Sequence, residues 1–195
     1  MKRTILNVLF AALLAANVFG DTVTLTLIPT SGTISGLLGS AVGWGYDITN
    51  NEPTDWVVLN DSFVTGGLNT GTYGTYVDYI SSDFIVINPS SSTGDVDFSR
   101  GAPGTGTGEF DIDAFVPPTT IAGGISIDYS VFSEDPNSPN FDPDSLVSNG
   151  TVSANAQVNI VSPTPEPASA GLIIAALMLM GIAMYRRRSA VTATR

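Results

Sequence analysis

The sequence predicts an all-β fold: an antiparallel β-sandwich ectodomain, preceded by an N-terminal signal helix and followed by a single C-terminal transmembrane helix. Three observations predict it: alternating apolar residues along the middle of the chain, a short apolar run near the start and a longer one near the end. The predicted segments are a signal peptide (1–20), the sandwich (21–161), a Pro-rich linker (162–167), a transmembrane helix (168–185) and a basic tail (186–195).

Strands are predicted wherever apolar residues alternate with polar or small ones. This period of two is clear at 42–48, 110–114, 125–131 and 152–160, and it indicates one buried and one wet face. Gly, Pro, Asn and Ser fill the breaks between these segments. About eight strands with closely spaced turn signals favour an antiparallel sandwich, and the remaining predicted strands lie at 23–28, 56–64, 73–80 and 84–87.

The N-terminal segment is typical of a secretory signal peptide. Lys2 and Arg3 give a positive start, and residues 5–19 are apolar except for two asparagines, Asn7 and Asn17. Val18 and Gly20 are small enough for the −3 and −1 positions of a signal peptidase site. We therefore expect signal peptidase to cleave after residue 20 and the sandwich to be exported.

The C-terminal apolar segment has the length of a membrane span. Residues 168–185 carry no charge, and as a helix these 18 residues extend about 27 Å, close to the ~30 Å hydrocarbon core. Arg186, Arg187 and Arg188 follow directly, and by the positive-inside bias they belong on the cytoplasmic side. The sequence thus predicts a single-pass inner-membrane protein with a periplasmic ectodomain.

The tail carries a motif in addition to the span. Pro165, Glu166 and Pro167 precede the apolar segment, and the arginine cluster follows it. This order resembles the PEP-CTERM sorting signal of Gram-negative bacteria, over roughly the last 30 of the 195 residues. The resemblance implies processing by a membrane sorting protease of exosortase type, after which the ectodomain reaches the cell surface or the extracellular space. Residues 189–195 continue past the arginines, where many members of this family stop sooner.

Composition excludes several functions for the middle of the chain. Between residues 21 and 164 there are 17 acidic residues, Arg100 is the only basic residue, and His and Cys are absent. A polyanion repels phosphate backbones, so no nucleic-acid partner is expected. Without His and Cys, disulfides, Ser–His–Asp or Cys–His catalysis and His- or Cys-ligated zinc are excluded.

Residues 133–145, "SEDPNSPNFDPDS", form an oxygen-rich segment with two interpretations. Asp135, Asn137, Asp142 and Asp144 offer the hard oxygen ligands that Ca²⁺ prefers, so they are the candidate metal ligands. The spacing is not that of an EF-hand, and Asp-Pro and Asn-Ser-Pro steps also make tight turns without metal. The plain-turn interpretation is favoured, and calcium remains open.

Other polar and aromatic residues also have two interpretations. Two pairs of carboxylates are of the kind that glycosidases use: Asp95 with Asp97, and Asp111 with Asp113. Such pairs more often lie on the solvent-exposed face of a strand. Five aromatic residues offer surfaces for sugars, but core packing is favoured for most of them: Trp44, Tyr46, Trp56, Tyr73 and Tyr76.

The sequence therefore predicts no catalytic residues and no enzyme. The expected function is that of an exported, membrane-tethered surface or extracellular-matrix protein that is processed at its C-terminal sorting signal. The alternative is a cation-dependent module that binds extracellular polysaccharide, and a carboxylate-based hydrolase ranks last.

Overall fold

The computed structural model describes residues 22–101 and 103–163, together with Met178 and Met180. The chain divides into two compact units, residues 1–161 and 162–195. Among the described residues, no helix has the length and apolar character needed to cross a bilayer. Several predicted features lie outside the described residues: the signal peptide, the 168–185 span apart from Met178 and Met180, and the motif residues Pro165, Glu166, Pro167, Arg186, Arg187 and Arg188.

Ten strands in the described part of the first unit form two five-stranded sheets. The first sheet has the order β1-β3-β8-β5, with β7 also paired to β3, and the second has the order β2-β10-β9-β4-β6. The strands are β1 (Val23–Ile28), β2 (Thr33–Leu37), β3 (Ala41–Asn50), β4 (Trp56–Gly66), β5 (Gly74–Asp78), β6 (Ile85–Ile87), β7 (Ser91–Ser92), β8 (Gly108–Ile112), β9 (Thr119–Phe132) and β10 (Leu146–Val161).

The sandwich core lies between the two sheets, which confirms the predicted all-β sandwich. Alternation along each strand sends one set of side chains inward, as the sequence pattern indicates. In the second sheet, Ile125 and Ile127 of β9 are fully buried, as is Val158 of β10. Trp44 and Ile48 of β3 and Phe110 of β8 meet them from the first sheet. Trp44 Nε1 donates to the carbonyl oxygen of Gly32 at 2.7 Å, so the buried indole is not left without a partner.

The prediction of a purely antiparallel sandwich is wrong at one edge. β2 pairs with β10 in parallel, from Thr33 opposite Gln157 to Leu37 opposite Val161. The chain crosses from the first sheet to the second between β1 and β2, so β2 runs beside the last strand in the same direction. Gly32 makes this crossing possible: its φ is +65°, and a Cβ there would lie 2.1 Å from the Asn155 carbonyl oxygen.

Two further details differ from the predicted strands. Segment 73–80 is not one strand, because β5 ends at Asp78 and a 3₁₀ turn follows at Ile80–Ser82. The strands β2 and β7 were not predicted, because the large apolar residues of β2, Ile34 and Leu37, are three positions apart and β7 consists of two serines, so neither shows a period of two.

A long connection covers the outer face of the first sheet. We call residues 93–107 the strap; all of it except residue 102 is described. Val96 exchanges backbone hydrogen bonds with Tyr46 at 2.8 and 2.9 Å, and Phe98 lies over Gly43. A Cβ at position 43 would come within 2.3 Å of the Phe98 ring, so the glycine lets the strap lie close to the sheet.

Candidate functional site

The acidic loop between β9 and β10 contains the four candidate calcium ligands. The Asp135 Oδ1 atom accepts the backbone N–H of Asn137 at 2.9 Å, and Asp142 Oδ1 accepts that of Asp144 at 2.9 Å. Glu134 Oε2 accepts the Asp142 backbone N–H at 3.3 Å. The contacts of Asp135 and Asp142 are Asx-type turns, in which a side-chain oxygen takes the place of a backbone acceptor.

The geometry of this loop accounts for Asp135 and Asp142 as turn-forming groups. In the described part of the chain, no three Asp, Glu, His or Cys side chains form a group that can hold a metal ion. The rings of Phe132 and Phe141 meet edge to face, 5.1 Å apart, and attach the loop to the end of β9. Calcium at Asp135, Asn137, Asp142 and Asp144 stays a prediction.

The two carboxylate pairs lie in different surroundings. Asp95 and Asp97 are exposed on the strap. Asp111 lies on the outer face of β8, with its Oδ1 atom 3.6 Å from an Arg100 guanidinium nitrogen. Asp113 caps the turn after β8 and accepts the Phe115 backbone N–H at 3.0 Å. The fold therefore gives Asp111 and Asp113 separate structural partners.

A buried carboxylate attaches the strap to β8. Glu109 is only 7% exposed. Its Oε2 atom accepts the Tyr79 hydroxyl at 2.7 Å and lies 3.1 Å from Arg100 Nε. Burial, followed by the hydrogen bond and charge of Glu109, raises the pKa of Tyr79 to about 12. Arg100, the only base between residues 21 and 164, thus compensates the one buried carboxylate among the described residues.

A second polar cluster joins the two sheets. Ser62 of β4 is 4% exposed, and its Oγ lies 2.5 Å from Asp78 Oδ1 on β5. The same Oγ is 2.5 Å from the carbonyl oxygen of Thr107 and 2.9 Å from the hydroxyl of Tyr76. We call Ser62, Tyr76, Asp78 and Thr107 the inter-sheet clamp, because Ser62 belongs to the second sheet while Tyr76 and Asp78 belong to the first.

The carboxylate of the clamp, Asp78, has its hydrogen-bond donors within the protein. Asp78 Oδ1 also accepts the backbone N–H groups of Ser62 and Ile80, at 3.1 and 2.8 Å, and Oδ2 accepts that of Ser81 at 3.1 Å. Burial raises the pKa of Tyr76 to about 12, so its hydroxyl stays protonated at neutral pH. With no histidine or lysine in this part of the sequence, Ser62 has no general base of the usual kind.

A groove opens beside the clamp on the flank between β4 and β5. It has a volume of about 340 Å³. Phe63, 39% exposed, forms part of its wall. Asn69 and Thr75 add amide and hydroxyl groups, and Tyr76 and Asp78 of the clamp also line it. An aromatic surface with a few polar groups is the usual composition of a small-molecule site.

The sequence did not point to this groove, because a β-bulge interrupts β4. Pairing between β4 and β9 shifts register between Leu59 and Asp61. Before the bulge Leu59 points inward; after it Ser62 and Val64 are buried, and Phe63 faces outward. Simple alternation from Leu59 would have placed Phe63 inside and Ser62 outside.

The aromatic residues singled out in the sequence are mostly core residues. Trp44 is fully buried and Tyr46 is 4% exposed. Tyr73 and Tyr76 are partly buried and pack against the core. The prediction of core packing is confirmed for these four, while Trp56 is partly buried at the start of β4.

The outer face of the second sheet is a surface of hydroxyl and amide side chains. Neighbouring strands pair these groups, for example Ser126 with Ser153 at 2.8 Å and Thr120 with Asn159 at 2.8 Å.

Asp61 lies on β4 and has a perturbed pKa. Burial is the largest cause, followed by the charges of Asp128 and Asp78, and together they raise the pKa of Asp61 above its ordinary value.

The described sheets define the class of this protein, a two-sheet β-sandwich. No family model matches the chain, and no curated protein matches it. Solved structures resemble it weakly. A PapD-like domain of human CEP192 is 11% identical with a TM-score of 0.33, covering 74% of this chain and 87% of that one.

Two other similar structures differ in length from this chain. WR4, a C. elegans MSP family member, is 11% identical with a TM-score of 0.30, covering 71% of this chain and 98% of that one. A family 123 glycoside hydrolase from Clostridium perfringens is 8% identical with a TM-score of 0.35, covering 76% of this chain and 29% of the hydrolase. Similarities this low carry no argument about function.

Proposed function

We propose that this chain is an exported, membrane-tethered, non-catalytic surface or extracellular-matrix protein, processed at a C-terminal sorting signal. One observation carries the proposal: the Pro-Glu-Pro triplet, the apolar segment and the arginine cluster follow one another directly after the last strand. β10 ends at Val161, and three residues separate it from Pro165. Ser162 and Pro163 are exposed, which favours an accessible linker.

The proposed route has three stages. Signal peptidase removes residues 1–20, and residues 168–185 hold the protein in the inner membrane with the sandwich in the periplasm. A membrane protease of exosortase type then recognises Pro165, Glu166 and Pro167. Processing there delivers the sandwich to the cell surface or the extracellular space.

The polar clusters of the sandwich support a non-catalytic role. Glu109 and Asp78 each accept hydrogen bonds from more than one group of the protein. Arg100 forms ion pairs with Glu109 and Asp111. A general acid or base needs a proton site that faces substrate. Both clusters instead join one part of the fold to another.

The alternative, a polysaccharide-binding module, is favoured by the groove at Phe63. Exposed aromatic rings and nearby amide and hydroxyl groups suit the apolar faces and hydroxyls of sugars. The groove lies near the 3₁₀ turn Gly67–Asn69, whereas the acidic loop lies at the other end of the strands, beyond Phe132. A cation bound in the acidic loop would therefore not be a ligand of the groove.

The triplet can be tested in the native host. Glu166→Ala combined with Pro167→Ala leaves the apolar segment and the arginines unchanged, so membrane insertion should persist. The mass difference between precursor and mature protein should disappear if the triplet is the processing motif. Pro163→Ala, in the same linker but outside the triplet, is the matched control and should be processed normally. Trimming of the double variant to the normal mature mass would show that the triplet is not a sorting signal.

A further inference from the structure

One end of the sandwich gathers three turns and the point where the chain leaves the last strand. We call it the exit end and define it by residues 37–40, 67–73 and 113–118 and by Val161, the last residue of β10. Thr119 pairs with Ile160, and Leu37 pairs with Val161, so the turns before β9 and after β2 flank the end of β10.

Contacts between the turns hold the exit end together. The Asp113 backbone N–H donates to the carbonyl oxygen of Tyr73 at 3.0 Å, and the Ile112 N–H donates to that of Ser40 at 2.9 Å. A Cβ at Gly39 would lie 3.3 Å from the Ala114 Cβ. Segments that are far apart in the sequence therefore form one contiguous surface.

The exit end exposes large apolar side chains. Phe115 is 96% exposed, Leu37 is 48% exposed and Val161 is 43% exposed. Phe115 is also held in place: its N–H is bound by Asp113, and the next residue, Val116, packs against the core. Large apolar side chains that are exposed at the same end of a domain favour an interaction surface there.

Charge is distributed unequally between the two ends. The exit end contains one charged residue, Asp113, although residues 21–164 carry 17 acids. At the opposite end, the loops 51–55 and 133–145 adjoin each other through Trp56 and Phe132. Those two loops contain six acids: Glu52, Asp55, Glu134, Asp135, Asp142 and Asp144.

We propose that the exit end rests on the lipid surface, with Phe115 inserted into the headgroup region of the bilayer. This inference rests on the proposed membrane tether. Only residues 162–167 lie between Val161 and the apolar segment at 168–185, and six extended residues reach at most roughly 20 Å. An interfacial aromatic ring is favourable there, whereas charges are costly near the hydrocarbon and anionic headgroups repel the acidic end.

Phe115→Trp tests the contact directly. The full chain is reconstituted into vesicles of phosphatidylethanolamine and phosphatidylglycerol, with or without brominated acyl chains, which quench tryptophan only at close range. The added tryptophan should emit at shorter wavelength than in the detached sandwich and should lose emission in brominated vesicles. Because Phe115 is almost fully exposed, the substitution leaves the core packing unchanged.

Phe84→Trp is the matched control. Phe84 is 67% exposed but precedes β6, whose first residue pairs with Leu59, away from the exit end. This variant should show no more bromine quenching than the parent chain, which contains Trp44 and Trp56.

Flotation of the vesicles separates the two proposals. If the chain floats with the vesicles but Phe115→Trp is quenched no more than Phe84→Trp, the lipid contact is wrong and the tether stands. If the chain does not float with the vesicles, the proposed membrane tether is wrong, and the proposed lipid contact of Phe115 is then wrong as well.

Discussion

Removing the central hydroxyl of the inter-sheet clamp should destabilise the sandwich more than removing an equally buried serine elsewhere. The perturbation is Ser62→Ala. Ser62 Oγ touches Asp78, Tyr76 and Thr107 and so joins β4 to the opposite sheet. The substitution removes these contacts without adding volume to the core.

The size of the destabilisation follows from the number of hydrogen bonds that the Ser62 hydroxyl can form. Ser62 has one hydroxyl proton, so Oγ donates to either Asp78 or Thr107, and it accepts the hydroxyl of Tyr76. A hydrogen bond to a charged group contributes about 1.5–3 kcal/mol and a neutral one about 0.5–1.5 kcal/mol. Donation to the charged Asp78 gives a loss of about 3 kcal/mol, or roughly 10 °C in Tm for a domain of this size, whereas donation to Thr107 gives about 2 kcal/mol.

Ser126→Ala is the matched control. Ser126 is 3% exposed, and its Oγ lies 2.8 Å from the Oγ of Ser153 within a single sheet. Because this pair is neutral, its loss should cost about 1 kcal/mol. Urea unfolding of residues 22–163, followed by the fluorescence of buried Trp44, measures both variants. If Ser62→Ala costs no more than Ser126→Ala, the clamp does not bind the sheets together as argued.

The other two predictions concern charge. Asp61→Asn should raise Tm at pH 7. The pKa of Asp61 is raised in the folded state, so the folded protein binds this proton more tightly than the unfolded chain does. At pH 7 the ionised carboxylate therefore disfavours folding, and the substitution removes it. The gain should vanish well below pH 3.8, and a gain independent of pH would contradict this explanation. Calcium should raise Tm no further than sodium chloride at matched ionic strength above about 0.15 M, because Asp135 and Asp142 already cap turns. A calcium-specific rise in Tm that Asp135→Asn abolishes would instead establish the metal site.

The groove and the exit end show which features needed the tertiary structure. In β4 the sequence indicates a strand but not its bulge, and the bulge alone decides that Ser62 enters the clamp while Phe63 faces the groove. A bulge places two residues of one strand opposite one residue of its partner, so it is a property of the paired strands and a period read along one strand does not reveal it. Leu37 and Val161 are likewise brought together only by the parallel pairing of β2 with β10.

The sequence by itself determined the features that depend on local pattern and composition. Alternation along 125–131 and 152–160 predicted the two long strands and their buried faces, because side chains alternate between faces in any extended chain. The lack of His and Cys, and the near-absence of basic residues, excluded whole classes of chemistry without reference to the fold. The tertiary structure decided the parallel pairing of β2, the burial of Glu109 beside Arg100 and the uneven distribution of charge between the two ends. These depend on contacts between distant segments, whose partners are chosen by the packing of the whole sandwich rather than by any local period.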